Sequence, residues 1–363
     1  MFGRSVMRVA VIYVYALAGG GYPRDIRWLA SALHSVGVSV TLFARPGVVA
    51  EELTEDVCVK PLEQCELDSV DLYHIFGIFI PMHLRILYRV LDKPVVVSTM
   101  GHLMPFHLRR KAVKKAIYLK AVKPILKKVH WFHVFSPVEA DSIYRYLGRE
   151  VQTFEAGLGV FPVPSDVELN LKEKICDNRS VNLLFFGRND VYQKGIDILL
   201  EGFAKAVKWG ASVTLTIAGQ PWGNSERYIR EFIEKEGLGE QVRVLGRVEE
   251  KMKWKLLSNA DYLVFLSRWD GPPRPIREAI AVGTPVIVSP ETNMGHLVSE
   301  FGAGIQVPLN AKEVARTIIS VTQDRSKLAE HRIGVLKLHE RLDWSRVAED
   351  YIRGYEQVLE SWK

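Results

Sequence analysis

Residues Ser267–Ser289 read SRWDGPPRPIREAIAVGTPVIVS and set two acids, Asp270 and Glu278, eight positions apart with Pro272, Pro273, Arg274 and Pro275 between them. The apolar run DYLVFLS before the stretch predicts a strand and RWDGPP a loop. Pro275 suits the first helical turn, where a missing N–H costs nothing. IREAIAV then predicts a helix that ends at Gly283, a residue fit for a left-handed cap, and Pro285 prevents its continuation into PVIVS, the next strand. Strand, loop, helix and strand in that order predict a parallel unit. Asp270 falls in its loop and Glu278 one turn inside its helix.

The same alternation extends outward along the chain. VAVIYV, SVTLFA, VDLYHIF, PVVVST, WFHVFS and VQTFEA read as strands before residue 163, and NLLFFG, SVTLTIAG, QVRVLG, DYLVFLS, PVIVS and GIQVP after residue 182. Strands interleaved with helices predict an α/β protein with parallel sheets covered on both faces. The polar stretch Val163–Asn182 reads as a linker. The fold expected is therefore two tandem doubly wound, Rossmann-like domains, 1–168 and 169–340, with a helix at 341–363 returning to the first. Ligands are expected in the cleft at the carboxyl ends of the strands.

At 363 residues, 48% hydrophobic and 25% charged, the chain has material for two full cores and no disordered or fibrous signature. Cys58, Cys65 and Cys176 are odd in number and lack paired ligand spacing, so neither a disulfide framework nor a zinc site is expected. The opening MFGRSVMRVAVIYVYALAGGGYP imitates a signal peptide, but the helical spacing of Ile26, Leu29, Ala30 and Leu33 after the glycines favours a buried first strand. No apolar run reaches the roughly 18 to 20 residues of a membrane span. A cytoplasmic protein is expected.

Three loops are candidate ligand sites, because helix N-termini present unpaired N–H groups and partial positive charge. Gly20 lies in LAGGGYP, where glycines allow close backbone approach. In FFGRNDVYQKGIDILLEGF, Arg188 and Lys194 bracket a strand-to-helix loop and suit a diphosphate. Asp270 and Glu278, in the third, can accept hydrogen bonds from the hydroxyls of a polyol.

The stretch around those acids resembles the acid-x7-acid signature of the retaining GT-B glycosyltransferases of family GT4, usually Glu at both ends. FFGRNDVYQKGIDILLEGF resembles the same family's GR…KG-x-D-x-LL-x-A-F segment. GGGYPRDIRWLASALHSVGVSVTLF, DLYHIFG, PVVVSTMGHL and LDWSRVAEDYIRGYEQVL extend the likeness over nearly the whole chain. The resemblance implies a metal-independent hexosyltransferase acting on a nucleotide-sugar donor in polysaccharide or glycolipid biosynthesis. By it, Arg188 and Lys194 would hold the diphosphate, Glu278 the ribose, Asp270 the transferred sugar, and Val248 would lie by the base. Gly20, Gly271 and Arg274 complete the donor-binding set, and Asp270 and His102 are the catalytic candidates. No D-x-D triplet suggests a bound metal, so no cofactor is expected.

Three departures stand out. The first acid is an aspartate; Pro272 and Pro273 replace the frequent FG and remove two N–H donors, so that either the Arg274 side chain compensates or the phosphates rely on Arg188 and Lys194; Met100 stands where the family has histidine, with His102 two residues on. Two other functions fit the same fold: a nucleotide-sugar epimerase, and a non-catalytic nucleotide or glycan binder.

The segment His107–Val129 carries nine Lys/Arg and no acid in a chain of net charge +6. Ala112, Val113, Ala116, Ile117, Leu119 and Val122 have helical spacing, which predicts one buried stripe and one cationic face. An anionic membrane surface bearing a glycan or lipid-linked acceptor is the expected partner, with peripheral association on the cytoplasmic face. No nucleic-acid motif is present, and no nucleic acid is expected.

Overall fold

Runs of β-branched residues form parallel strands whose two faces are both covered, so almost every position in them is buried rather than every second one. The computed structural model describes residues 6–18, 21–45, 57–64, 70–165, 167 and 180–362. They divide into two units, Met1–Gly159 with Leu342–Lys363, and Val160–Arg341. The second unit begins before the expected boundary at 168/169, and most of the expected linker lies outside the described residues.

In the first unit, β1 (Arg8–Ile12), β2 (Ser39–Ala44), β3 (Cys58–Pro61), β4 (Leu72–Phe76), β5 (Val95–Ser98), β6 (Trp131–Val134) and β7 (Gln152–Glu155) form a parallel sheet of order β3-β2-β1-β4-β5-β6-β7. Edge strand β3 has no counterpart in the sequence reading. It is short, half-exposed and ends in Pro61, which is tolerated there because an edge N–H needs no ladder partner. In the second unit, β8 (Val181–Phe186), β9 (Val213–Ala218), β10 (Val242–Gly246), β11 (Tyr262–Phe265), β12 (Val286–Val288) and β13 (Gly304–Gln306) run parallel in the order β10-β9-β8-β11-β12-β13. The order reverses between β1 and β4 in one sheet and between β8 and β11 in the other. Neighbouring loops diverge at such points and leave room for a ligand.

The C-terminal helix Trp344–Glu360 belongs to the first unit. Asp343 caps it by accepting from Ser345 N at 2.8 Å, and Val347, Ala348, Tyr351, Tyr355 and Val358 join the core that β1 and the helix Gly21–Ser35 also fill. A chain of polar side chains fixes it to the sheet. His133 Nε2 donates to Ala156 O at 2.9 Å, so its Nδ1 accepts from Ser98 Oγ at 2.7 Å. Ser98 Oγ then accepts from His74 Nε2 at 2.6 Å, and His74 Nδ1 accepts from Tyr355 Oη at 2.8 Å. Every proton is accounted for with both rings neutral. A buried polar network is stabilising only when fully satisfied in this way.

The basic segment departs from its expected form. Lys111 adopts a left-handed conformation (φ 55°) and separates the short helix Pro105–Arg109 from Ala112–Leu126. Leu119, Val122 and Leu126 are buried, but Val113 and Ile117, expected in the buried stripe, are 76% and 69% exposed. Helical spacing alone does not say which of two apolar stripes faces the core, and here the core takes the one that continues to Leu126. None of the described helices is long and apolar enough to cross a membrane.

Burial holds His133 near 3 and His83 near 4, and places His74 well below the ordinary histidine value, with the neighbouring His133 adding to the effect. The unfolded chain takes up protons near 6.5 while these rings stay neutral. Their contribution is therefore complete above about pH 6.5 and declines as pH falls toward about 4, by up to about 1.4 kcal/mol per pH unit for each ring. Urea midpoints at pH 7.5 and 5.5 should differ accordingly, the lower pH being less stable; equal midpoints would show that the rings titrate as in an open chain.

Candidate functional site

The loops that carry Lys194 and Asp270 follow β8 and β11, the strands at the reversal, and are joined there by hydrogen bonds. After β8, Gln193 N donates to Asp190 Oδ1 at 3.0 Å and Lys194 N to Asp190 O at 2.8 Å, closing a turn. That turn is joined to the loop after β11: Arg268 N donates to Gln193 O at 2.8 Å, and Ser267 Oγ lies 3.0 Å from the same carbonyl. Gly195 makes the approach possible. Its φ is 65°, and a Cβ there would stand 2.0 Å from Leu266 O. Arg268 holds the loops from outside, with guanidinium bonds to Asp197 at 2.8 and 2.7 Å.

In this frame Lys194 Nζ forms a direct ion pair with Asp270 Oδ2, and Ser267 Oγ lies 3.1 Å from the same oxygen. Both side chains of the pair are mostly covered, at 11% and 14% exposure. The Asp270 backbone is tied to the loop after β12: its N donates to Glu291 O at 3.1 Å, and its carbonyl accepts from Asn293 Nδ2. The shorter acid thus has a fixed backbone. Gly271, Pro272 and Pro273 follow, all buried.

Pro273 caps the helix Arg274–Ala281, Pro275 occupies its first turn, and Gly283 follows its end with φ 79°. Glu278 is buried on this helix. Its Oε1 accepts from Lys253 Nζ at 2.9 Å and from Arg274 Nη2 at 3.3 Å, and Lys253 also reaches Glu250 at 2.6 Å. One carboxylate oxygen is therefore fixed by two cations, and Oε2 keeps its acceptor capacity.

The expected residues do not all fall together. Lys194, Asp270, Gly271, Arg274 and Glu278 surround the carboxyl end of β11 and the helix after it. Arg188 lies at the rim: its side chain is 40% exposed, it donates to Gln193 Oε1 at 2.6 Å, and it lies 4.5 Å over the Trp222 ring. Val248 is half-buried between β10 and the helix Glu250–Asn259. His102 belongs to the first unit, where its ring meets those of Phe79 and His107, each at 5.2 Å, and burial holds it near 3 and hence neutral. Its Nδ1 is covered and has no hydrogen-bond partner among the described residues. Gly20 lies outside the described residues.

The sequence reading missed Lys253, Gln193 and Ser267. Lys253 sits in EEKMKWKLL, which looks like a solvated charged helix. Its closeness in helical phase to the buried Trp254 and Leu257 was the signal that it turns inward.

Residues 170–334 match the family described as Glycosyl transferases group 1. The chain is 29% identical to an uncharacterized glycosyltransferase of Methanocaldococcus jannaschii over 56% of this chain and 53% of that protein, so the match spans about half of that relative's length. It is 26% identical to the GDP-mannose:cellobiosyl-diphosphopolyprenol alpha-mannosyltransferase of Xanthomonas oryzae pv. oryzae over 82% of this chain and 78% of that one. Among solved structures, sucrose-phosphate synthase from Thermosynechococcus elongatus superposes with a TM-score of 0.71 at 20% identity, covering 98% of this chain and 100% of that one.

If the close approach at Gly195 sets the site, Gly195→Ala should cost about 1–3 kcal/mol through backbone strain and separate Lys194 from Asp270. The urea midpoint checks this. An unchanged midpoint would mean that the two loops have room to spare.

Proposed function

Because the chain is a group 1, GT4-like glycosyltransferase of GT-B fold, we propose that it moves a hexosyl group from a nucleotide-sugar donor to an acceptor hydroxyl, with retention and without a metal. The observation that carries this reading is the Lys194–Asp270 pair at the β8/β11 reversal, beside an anchored Glu278. In the reaction the bond between the anomeric carbon and the diphosphate oxygen breaks, and a bond from that carbon to the acceptor oxygen forms. The acceptor proton passes to the departing diphosphate. Negative charge grows on the leaving group, and Lys194, Arg188 and Arg274 are cations that can stabilise it from fixed positions.

Glu278 Oε2 suits the ribose hydroxyls, Val248 lines the base, and Asp270 accepts from hydroxyls of the transferred sugar. A neutral His102 is assigned hydrogen bonding and no proton transfer at physiological pH. GDP-mannose is the first donor to test, since the Xanthomonas relative is named for it.

The acceptor we infer is a glycan or lipid-linked one at an anionic membrane surface. Val113 and Ile117, one turn apart, are exposed on the helix Ala112–Leu126, which also carries the exposed Lys114 and Lys120 and is followed by the exposed Lys127 and Lys128. Apolar side chains flanked by cations suit the headgroup boundary of a bilayer. Lys115 takes no part, because it turns inward to the carbonyl of His107.

Two measurements test the reading. Lys194→Ala should weaken binding of GDP by about 10- to 100-fold and leave guanosine nearly unaffected, because a charge-assisted bond contributes about 1.5–3 kcal/mol; equal losses for both would remove Lys194 from the phosphate site. Replacing Lys114, Lys120, Lys127 and Lys128 with alanine should release the protein from phosphatidylglycerol vesicles, at about 1 kcal/mol per charge. Val113→Asp with Ile117→Asp should release it even at low salt. Co-sedimentation that neither set of changes disturbs would leave the helix a solvated surface.

A further inference from the structure

The helix Arg274–Ala281 begins at the carboxyl end of β11, beside Asp270, with few backbone donors to offer an anion. Pro272, Pro273 and Pro275 have no N–H, so only Arg274 and Ile276 present one between residues 272 and 276. The side chain of Arg274 stands at the same place. Of the cations around this end of the second unit, Lys194 is paired with Asp270, Lys253 with Glu250 and Glu278, and Arg268 doubly with Asp197. Among the described residues Arg274 makes one hydrogen bond, to Glu278 at 3.3 Å, and its Nε has no acceptor. Its guanidinium keeps most of its donor capacity.

A guanidinium with so few bonds needs something else to hold it. Phe161, 6% exposed, supplies a ring whose centroid is 4.5 Å from Arg274 Cζ. Arg277, one turn further along the helix and fully buried, lies 4.6 Å over the same ring. A cation over an aromatic face is attracted by the ring quadrupole, and a guanidinium held against it loses conformational freedom before any ligand arrives. The core-facing Arg277 fixes the ring, and the ring fixes Arg274.

We propose that Phe161 is a positioning residue of the diphosphate subsite, holding Arg274 so that its side-chain donors replace the backbone donors that the three prolines remove. This rests on the reading that this end of the second unit holds a nucleoside diphosphate. Inorganic pyrophosphate is the probe, because it has neither base nor sugar, and calorimetric titration of the full chain is the measurement.

Arg274→Ala should weaken pyrophosphate about 10-fold, the effect of losing a charge-assisted contact. Phe161→Leu should weaken it about 3- to 10-fold, the range of a partly desolvated cation–π contact, while Phe161→Tyr, which keeps the ring, should bind like the parent protein. Phe161→Leu should add nothing in the Arg274→Ala background, since it acts through that arginine. Phe161→Met, with similar apolar volume and no ring face, repeats the measurement if the leucine variant does not fold.

A Phe161→Leu protein that binds like the parent while Arg274→Ala is weak would overturn the positioning role. So would full additivity of the two changes. If Arg274→Ala binds normally and Lys194→Ala does not, the inference falls and the diphosphate site stands. If both bind normally, the diphosphate reading itself falls.

Discussion

The second unit depends on one close approach: the backbone at Gly195 against the carbonyl of Leu266. Two adjacent parallel strands, β8 and β11, send their following helices to opposite faces of the sheet, which would carry their loops apart. The loops nevertheless bond to one another through Gln193 O, Arg268 N and Ser267 Oγ, because a residue without Cβ sits where they touch. Lys194 is brought against Asp270 as a result. A covered ion pair of this kind is weak evidence for net stability, but loss of one partner leaves the other uncompensated, at about 3–5 kcal/mol. The pair therefore fixes the loops to each other by making every other arrangement costly.

The two units solve the problem of a polar interior by different means. In the first, His74, Ser98, His133 and Tyr355 form a neutral chain in which each donor has one acceptor, so this junction with the returning helix carries no charge. The returning C-terminal helix is thereby specified by hydrogen-bond geometry as well as by apolar area. In the second, Lys253, Arg274, Glu250 and Glu278 are ionic neighbours, and the buried Glu278 is kept near two cations. A neutral network suits a structural junction. An ionic one suits a place where an anion is to be received, since its charges are already oriented.

Much of this was legible in the sequence, and what was not has a physical cause. The strand and helix periods, the proline at the first turn and the glycine past the helix end located Asp270 and Glu278, because backbone chemistry there is local. Two of the missed features are non-local. Lys253 is drawn inward by a carboxylate 25 positions away, and Phe161 by arginines more than a hundred positions later. Neither partner is visible in a window of sequence. The basic helix failed for another reason: it has two apolar stripes, and only the packing of Leu119, Val122 and Leu126 decides between them. Edge strand β3 carries too little apolar pattern to be distinguished from a loop.

The pairing of Lys194 with Asp270 also bears on how an anion would enter. A diphosphate arriving at Lys194 competes with the carboxylate already there, and so part of its attraction to the lysine is spent on separating that pair. Ser267 Oγ lies within reach of the same Asp270 oxygen, and the aspartate backbone is held through Glu291 and Asn293. The acid can therefore give up its cation without losing its place. On the reading proposed above, sugar hydroxyls bound at that moment would supply the hydrogen bonds that Asp270 loses, and a diphosphate at Lys194 and a sugar at Asp270 would be energetically coupled. Such coupling would favour an intact donor over either fragment, and it would need no movement of the loops that Gly195 holds together.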